Sequence, residues 1–172
     1  MKRILLATDL GVMSPFIMTY AIDMARQSHA KLDVVHIVEP MGVFAESIIN
    51  AYVPSDDLKH LRETGVQHVM SNIKAQIIDH IQSDFTDDDE DYIGEIQVLN
   101  GEVSETLLNL VKSRGYEYVV LGGHNTVSAS NSALGSTASK LLQLSPVPVM
   151  VVPISRFNSG MSTQGESSFR AV

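Results

Sequence analysis

The sequence predicts a doubly wound α/β fold, in which helices cover both faces of a parallel β-sheet. Apolar runs such as ILLAT, VVLG and VMVV lack the alternation of a half-exposed strand, and strands buried on both faces have this character. Segments with a helical spacing of apolar residues lie between those runs. Strands that alternate with helices are typical of right-handed crossovers between parallel strands.

Five short apolar runs are predicted to form the strands of this sheet. Their expected bounds are Arg3–Thr8, Leu32–Val38, Glu95–Leu99, Tyr118–Leu121 and Val149–Val152. The first of these runs begins almost at residue 1. The opening MKRILLATDL has no small-residue cleavage site, so it is interpreted as a buried strand and not as a signal peptide.

Four helices are predicted between the strands. Ser14 and Pro15 supply an N-cap and a first-turn proline for the first helix, and the second runs from about residue 55 to 83. The third follows Gly101 and ends at Gly115, and the fourth begins near Gly135. The apolar residues expected on the helix faces are Ile17, Tyr20, Ala21, Met24 and Ala25 in the first helix, Leu58, Leu61, Val66, Val69, Ile73, Ile77 and Ile81 in the second, Leu107, Leu108 and Val111 in the third, and Ala138, Leu141 and Leu142 in the fourth.

Length and composition indicate one globular domain with its own core, in a chain of 172 residues of which 44% are apolar. No apolar run approaches the roughly 18 residues of a spanning helix, so membrane insertion is not expected. The absence of cysteine excludes a disulfide framework, and the cytoplasm is the expected location. The domain is predicted to span residues 1–153, and residues 154–172 lack periodicity and are predicted to be a disordered tail.

The net charge of −8 is concentrated in the acidic run DFTDDDED, residues 84–91. Because this run lacks the spacing of a calcium-binding loop, it is interpreted as a solvated, partly mobile loop. No basic patch interleaved with aromatic residues is present, so nucleic acid is not an expected partner. The connection from Met41 to Pro54 is long and apolar, and it is predicted to hold a short helix that packs on a partner or over a site.

A candidate ligand site lies where the first and fourth strands end, because ligands of open α/β sheets bind beyond the carboxyl ends of the strands. Asp9 follows the first strand, and Gly122 and Gly123 end the fourth. If these strands are neighbours, Asp9 faces Gly122 across a crevice, where its carboxylate can accept hydrogen bonds from a ribose or hold a metal ion. A turn-forming aspartate satisfied by backbone N–H groups fits the position equally well.

Glycines frame the loop that follows the fourth strand. Gly122 and Gly123 let a backbone approach a ligand closely, and Gly135-Ser136-Thr137 places free N–H groups and hydroxyls at a helix N-terminus, which is an anion site. Two glycine clusters separated by eleven residues also fit a flexible loop followed by a capped helix. From these residues alone, that plainer interpretation is the favoured one.

The chain from residue 1 to 153 resembles the universal stress protein family, through ILLATD, VVHIVEP, NGEVSETLL and VLGGH…LGSTASKLL…SPVPVMVVP. Nucleotide-binding members of that family carry the pattern G-x2-G-x9-G-S/T. Gly122 and Gly135-Ser136 match it at the right spacing, whereas Asn125 stands at the second glycine and residues 126–134 contain no Arg or Lys. Asn is the non-glycine residue that best tolerates positive φ, so the chain is closer to the ATP-binding branch.

The resemblance implies a Rossmann-like five-stranded parallel sheet in the order 3-2-1-4-5 and a site for ATP or ADP, with Mg²⁺ as a candidate companion ion. For Ile37 and Leu121, ordinary core packing is an equally good interpretation. For the base, the resemblance implies that Ala7 and Thr8 border the adenine, that Asp9 lies near ribose and adenine, and that Ile37 gives apolar and backbone contacts to adenine. The residues implied to line ribose and α-phosphate are Leu121, Gly122, His124 and Asn125. Those implied to hold the β- and γ-phosphates are Gly135, Ser136 and Thr137.

The resemblance further implies a regulatory protein of the stress response that acts on an unidentified partner. Its last strand, Val147–Pro153, is expected to pair with a second copy in a closed homodimer, which covers an apolar edge. A dimeric interaction module that binds no nucleotide is the alternative. A slow ATPase or an autophosphorylating protein is less favoured, because the sequence has no Walker-type lysine, paired carboxylates or Ser-His-Asp order. No catalytic residue and no resident metal site are therefore predicted.

Overall fold

The computed structural model describes residues 2–40, 42, 47, 51, 55–123 and 134–153, and for 55–63 and 87 it describes the backbone only. Three predicted features lie largely or wholly outside this part of the chain: the connection from Met41 to Pro54, most of the glycine-framed loop, and the tail from residue 154 onward. No helix within the described residues is long and apolar enough to cross a membrane.

The sheet has five parallel strands in the order β3-β2-β1-β4-β5, which confirms the predicted fold class and strand order. Ala7 at the end of β1 is level with Val35 on one side and with Leu121 on the other. This register brings the carboxyl ends of the three central strands to one edge of the sheet. The strands are β1 Arg3–Ala7, β2 Lys31–Val38, β3 Ile93–Asn100, β4 Tyr118–Gly122 and β5 Val149–Val152.

All four predicted helices form: α1 Ser14–Ser28, α2 Ser55–Asp84, α4 Val103–Arg114 and α5 Ser136–Leu144. A further short helix, α3 Asp87–Glu90, lies inside the acidic run that was predicted to be a loop. The Asp89 carboxylate accepts hydrogen bonds from the backbone N–H of Thr86, at 3.2 Å, and from its hydroxyl, at 2.8 Å, and it pairs with Arg26 of α1. The loop prediction was wrong here, because local capping and an ion pair anchor the segment.

Each face of the sheet carries its own hydrophobic cluster. One cluster joins α1 and the C-terminal part of α2 to the sheet through Ile4, Leu6, Ile17, Ala21, Val34 and Ile77. The other joins α4 and α5 to the opposite face through Leu5, Val35, Leu107, Val111, Ala138 and Leu141. The two clusters alternate along β1 and β2, as expected for strands whose successive side chains point to opposite faces.

Several residues predicted on apolar helix faces lie at the surface instead. They are Tyr20, Val66, Val69 and Leu142. For α2 the reason is length: its 30 residues extend about 45 Å, whereas the eight residues of β3 extend only about 26 Å. Ile77 and Ile81, near the C-terminal end of α2, are buried in the core, and Ile73 packs against it. The side chains of Leu58 and Leu61 lie outside the described part.

Candidate functional site

A cleft of about 850 Å³ opens beyond the carboxyl ends of β1, β2 and β4, bordered by the starts of α1, α4 and α5. Strand β1 has β2 on one side and β4 on the other, so the strand order reverses at β1. Open α/β sheets bind ligands beyond the strand ends at such a reversal. Most of the predicted site residues line it: Ala7, Thr8, Asp9, Ile37, Leu121, Gly122, Gly135, Ser136 and Thr137. The remaining two, His124 and Asn125, lie outside the described residues.

The turn between β1 and α1 is built by the side chain of Asp9. Its Oδ1 accepts hydrogen bonds from the Gly11 N–H, at 2.9 Å, and from the Ser14 hydroxyl, at 3.1 Å. Asp9 therefore has the turn-forming role that was one of its two interpretations. Its Oδ2 has no hydrogen-bond partner within the described chain, so the exposed carboxylate keeps an acceptor at the cleft.

Ser14 does not cap α1 as predicted. It is the first helical residue, Met13 occupies the N-cap position, and that cap makes no side-chain hydrogen bond. The Ser14 hydroxyl is instead held between Thr8 Oγ1, at 3.0 Å, and Asp9. The cap prediction was wrong because the helix begins one residue early: Ser14 already lies inside it, and its hydroxyl oxygen accepts from Thr8 Oγ1 and not from a backbone N–H of the first turn.

Gly122 has a packing role that the sequence did not indicate. A Cβ atom built on Gly122 would overlap Cδ1 at the end of the Ile17 side chain, so the glycine leaves room for this buried side chain of α1 over the end of β4. Gly122 also lines the cleft, so the close approach of its backbone to a ligand stays a prediction. A Cβ on Gly123 would make only ordinary contact, 3.4 Å from the carbonyl oxygen of Val152.

The N-terminus of α5 meets the cleft without a side-chain cap. Gly135 is the N-cap residue, with φ −64° and ψ 161°, and it makes no side-chain cap hydrogen bond. The first backbone N–H groups of a helix have no partner inside the helix. Ser136 is exposed and Thr137 is half-buried, and both line the cleft. Backbone donors and two hydroxyl-bearing residues thus border the cleft at a positive helix end.

Comparison with known proteins identifies the chain. The model of the universal stress protein family matches residues 1–153. The chain belongs to the universal stress protein family. It is 26% identical to universal stress protein YxiE of Bacillus subtilis, over 88% of this chain and 98% of that protein. It is 24% identical to universal stress protein A of Photorhabdus laumondii, over 89% of this chain and 95% of that protein.

Solved universal stress proteins share the fold. One crystallised in complex with cAMP superposes with a TM-score of 0.59 at 19% identity, covering 90% of this chain and 98% of that chain. One from Archaeoglobus fulgidus in complex with dAMP has a TM-score of 0.52 at 17% identity, covering 88% and 97%. UspA of Lactobacillus plantarum has a TM-score of 0.57 at 17% identity, covering 88% and 97%.

This universal stress protein also has a cleft residue that sequence reasoning missed. His36, two residues before the end of β2, is half-buried and lines the cleft, and its Nδ1 lies 2.9 Å from the carbonyl oxygen of Thr8. Since a carbonyl oxygen only accepts, Nδ1 carries the proton and donates. The available signal was a histidine inside an otherwise apolar strand, VVHIV.

The charged groups of the cleft are acidic. Among its described lining residues Asp9 and Glu39 carry carboxylates, and none is Lys or Arg. The described residues also contain no group of three or more His, Asp or Glu side chains placed to hold a metal ion. An anionic ligand in this cleft would therefore depend on backbone N–H groups, on hydroxyls and on any cation that it carries with it.

Proposed function

We propose that this universal stress protein binds an adenine nucleotide in the cleft and acts as a regulatory protein of the stress response. One observation carries the proposal: the cleft joins the ends of three central strands to the uncapped N-terminus of α5. Its volume of about 850 Å³ falls within the range of roughly 300–1,000 Å³ that is usual for small-molecule sites. The complexes of related proteins with cAMP and dAMP support the choice of an adenine compound.

The proposed orientation follows the chemistry of the lining. Apolar side chains of Ala7, Ile37 and Leu121 suit a flat base, and the exposed carboxylate of Asp9 suits ribose hydroxyls. The backbone and hydroxyl donors of Ser136 and Thr137 suit a phosphate. His124 and Asn125, which follow β4 in sequence, are proposed to border the ribose and α-phosphate between these two ends.

ATP or ADP, with Mg²⁺, is the proposed ligand, and the acidic lining sets a condition on it. Asp9 and Glu39 repel phosphate charges, and the loop from residue 124 to 133 contributes no Lys or Arg in the sequence. Mg²⁺ bound to the phosphates would reduce that repulsion. Without the ion, an adenine nucleotide with a single phosphate is expected to bind more tightly than ATP.

A homodimer is proposed through the edge strand β5. This strand pairs with β4 on one side only, and its Met150 is 41% exposed. An uncovered apolar edge strand is an aggregation hazard, and pairing with a second copy removes it. Pro148 and Pro153 flank the strand and limit how far the pairing extends.

The remaining proposals concern the whole chain. Residues 1–153 are proposed to form the nucleotide-binding domain, and 154–172 a tail. The regulated partner is proposed to contact the 41–54 connection or the tail. The proposed location is the cytoplasm, and regulation is proposed in place of catalysis.

Gly135→Leu tests the site, with Gly65→Leu as its matched control. The backbone angles of Gly135 are open to any residue, so leucine there crowds the N-terminus of α5 without forcing a strained backbone. Gly65 lies on the exposed part of α2, where a Cβ meets nothing within 4 Å. Calorimetric titration with Mg-ATP, ADP and AMP should show binding to the parent and to Gly65→Leu and at least a tenfold loss in Gly135→Leu. Equal affinity in all three proteins would mean that the phosphate site is misplaced.

A further inference from the structure

The hydrogen-bond ladder between β1 and β2 stops at the edge of the cleft. Its last rungs pair Ala7 with Val35, and the Thr8 N–H donates to the Val35 carbonyl at 3.0 Å. In a parallel ladder, the N–H and C=O of alternate residues point to the same neighbouring strand. The next rung would therefore join the Ile37 N–H to the Thr8 carbonyl, and the Leu10 N–H to the Ile37 carbonyl.

Both partners of that rung are engaged elsewhere. The Thr8 carbonyl accepts from His36 Nδ1 at 2.9 Å, and the Leu10 N–H donates to Thr8 Oγ1 at 3.1 Å. Leu10 adopts a φ of 57° in making this turn, a conformation that costs a non-glycine residue energy. Within the described chain, the N–H and C=O of Ile37 are left without their ladder partners, and Ile37 lines the cleft.

We infer that His36 is a positioning residue that interrupts the β1–β2 ladder and so keeps the backbone N–H and C=O of Ile37 open for a ligand. The Thr8 hydroxyl has the complementary role, because it engages the Leu10 N–H. The inference rests on the proposed function for the identity of the ligand. It does not rest on that function for the open backbone groups, which are a property of the free protein.

The two hydrogen bonds missing from the ladder indicate which hydrogen-bonding groups the ligand must carry. Thr8 would have supplied an acceptor and Leu10 a donor, so the ligand edge must carry an acceptor beside a donor. Adenine, whose backbone contact with Ile37 is what the family resemblance implies, presents this combination as a ring nitrogen next to its amino group. A base with a carbonyl oxygen in place of that amino group would set an acceptor against the Ile37 carbonyl, and an unpaired polar group in a cleft is costly.

Amide hydrogen exchange, resolved by residue, tests the inference in the free protein. The Ile37 N–H should exchange about tenfold faster than the Val35 N–H, which belongs to the intact ladder. In His36→Val the Thr8 carbonyl is released, so the Ile37 N–H should become protected without ligand. His36→Asn is the matched control, since its Nδ2 lies as far from Cβ as the histidine Nδ1 and can donate in its place; fast exchange should return.

Binding provides the second measurement. His36→Val should weaken AMP binding about tenfold, while its melting temperature stays at or above that of the parent, because one more ladder rung forms. His36→Asn should recover most of the affinity. The double variant Thr8→Val/His36→Val, which also releases the Leu10 N–H, should protect the Ile37 N–H further and lose more affinity.

The outcomes separate this inference from the proposed function. An Ile37 amide that is as protected as that of Val35 in the parent overturns the inference, as does Ile37 exchange that is unchanged in His36→Val. If exchange behaves as expected but neither AMP nor ATP binds the parent, the inference about His36 stands and the proposed function fails. If AMP binds and His36→Val leaves both exchange and affinity unchanged, the proposed function stands and His36 is only a satisfied strand histidine.

Discussion

Replacing Tyr116 with Phe should destabilise the protein by about 2 kcal/mol. It should also make the free energy of unfolding fall less steeply as the pH rises above about 10. The Tyr116 side chain is buried, and its hydroxyl donates to Asp33 Oδ2 at 2.9 Å. Asp33 is only 1% exposed and also accepts from Arg3, at 2.5 Å, and from the Glu95 N–H, at 2.9 Å. This cluster joins β1, β2 and β3 and lies on the sheet face that carries α4.

The hydrogen bond sets the cost of the substitution at neutral pH, and the raised pKa of Tyr116 sets how much stability the parent loses at alkaline pH. A hydrogen bond to a charged group contributes roughly 1.5–3 kcal/mol. Burial, together with the hydrogen bond to Asp33, raises the pKa of Tyr116 to about 12 from its ordinary value of 10.0. A shift of about two pKa units corresponds to roughly 2.7 kcal/mol. Because the folded pKa lies above the unfolded one, this stability is fully present below about pH 10 and is lost as the pH rises through 12.

Urea unfolding at pH 8 and at several values between pH 10 and 12 measures the effect. The parent should lose stability across that interval, and Tyr116→Phe should start about 2 kcal/mol lower and lose less. Tyr118→Phe is the control, since the Tyr118 hydroxyl lies 3.4 Å from Ser28 Oγ, too long for a strong bond. The reasoning is refuted if Tyr116→Phe is no less stable than Tyr118→Phe, or if its stability falls with pH as steeply as that of the parent.

Three further predictions concern the cleft. Gly122→Ala should lower the free energy of unfolding by about 1 kcal/mol, because its Cβ overlaps Ile17 Cδ1, and Ile17→Val in the same chain should recover that loss. A double-mutant cycle measured by thermal unfolding should show this coupling, and a cycle without coupling would contradict the packing role. Asp9→Asn keeps an acceptor for the Gly11 N–H and should preserve the melting temperature, whereas Asp9→Ala should lower it by several degrees. Asn125→Gly should hold or raise the affinity for Mg-ATP measured by titration, and a large loss would reveal a specific contact of the Asn side chain.

Much of the fold could be predicted because strands that are buried on both faces appear in the sequence as continuous apolar runs. The runs around Leu5, Val34 and Val120 are apolar at successive positions, and each became a strand buried on both faces. In α4, the apolar spacing predicted that Leu107 faces the core, and Gly115 predicted the end of the helix. Val66 and Val69 were misjudged because apolar spacing reports a face but not how far the sheet extends beneath it.

The candidate site was only partly predictable, because its geometry depends on competition between hydrogen bonds. The Ser14 hydroxyl donates to Asp9, and the Thr8 carbonyl accepts from His36. Both hydrogen bonds depend on distances between side chains that a sequence does not contain. The role of Gly122 likewise depends on where α1 crosses β4. Positions at strand ends, in contrast, follow from topology alone, and this is why Asp9 and Gly122 were both expected at the cleft.

Native mass spectrometry of the freshly purified protein, with and without millimolar Mg-ATP, tests nucleotide binding most directly. We expect a dimer that carries one adenine nucleotide per chain, whose mass also identifies the nucleotide. Gly135→Leu should give the same dimer without the added mass. A parent dimer that stays bare in millimolar Mg-ATP, ADP and AMP would contradict nucleotide binding and would leave a dimeric interaction module as the function of this chain.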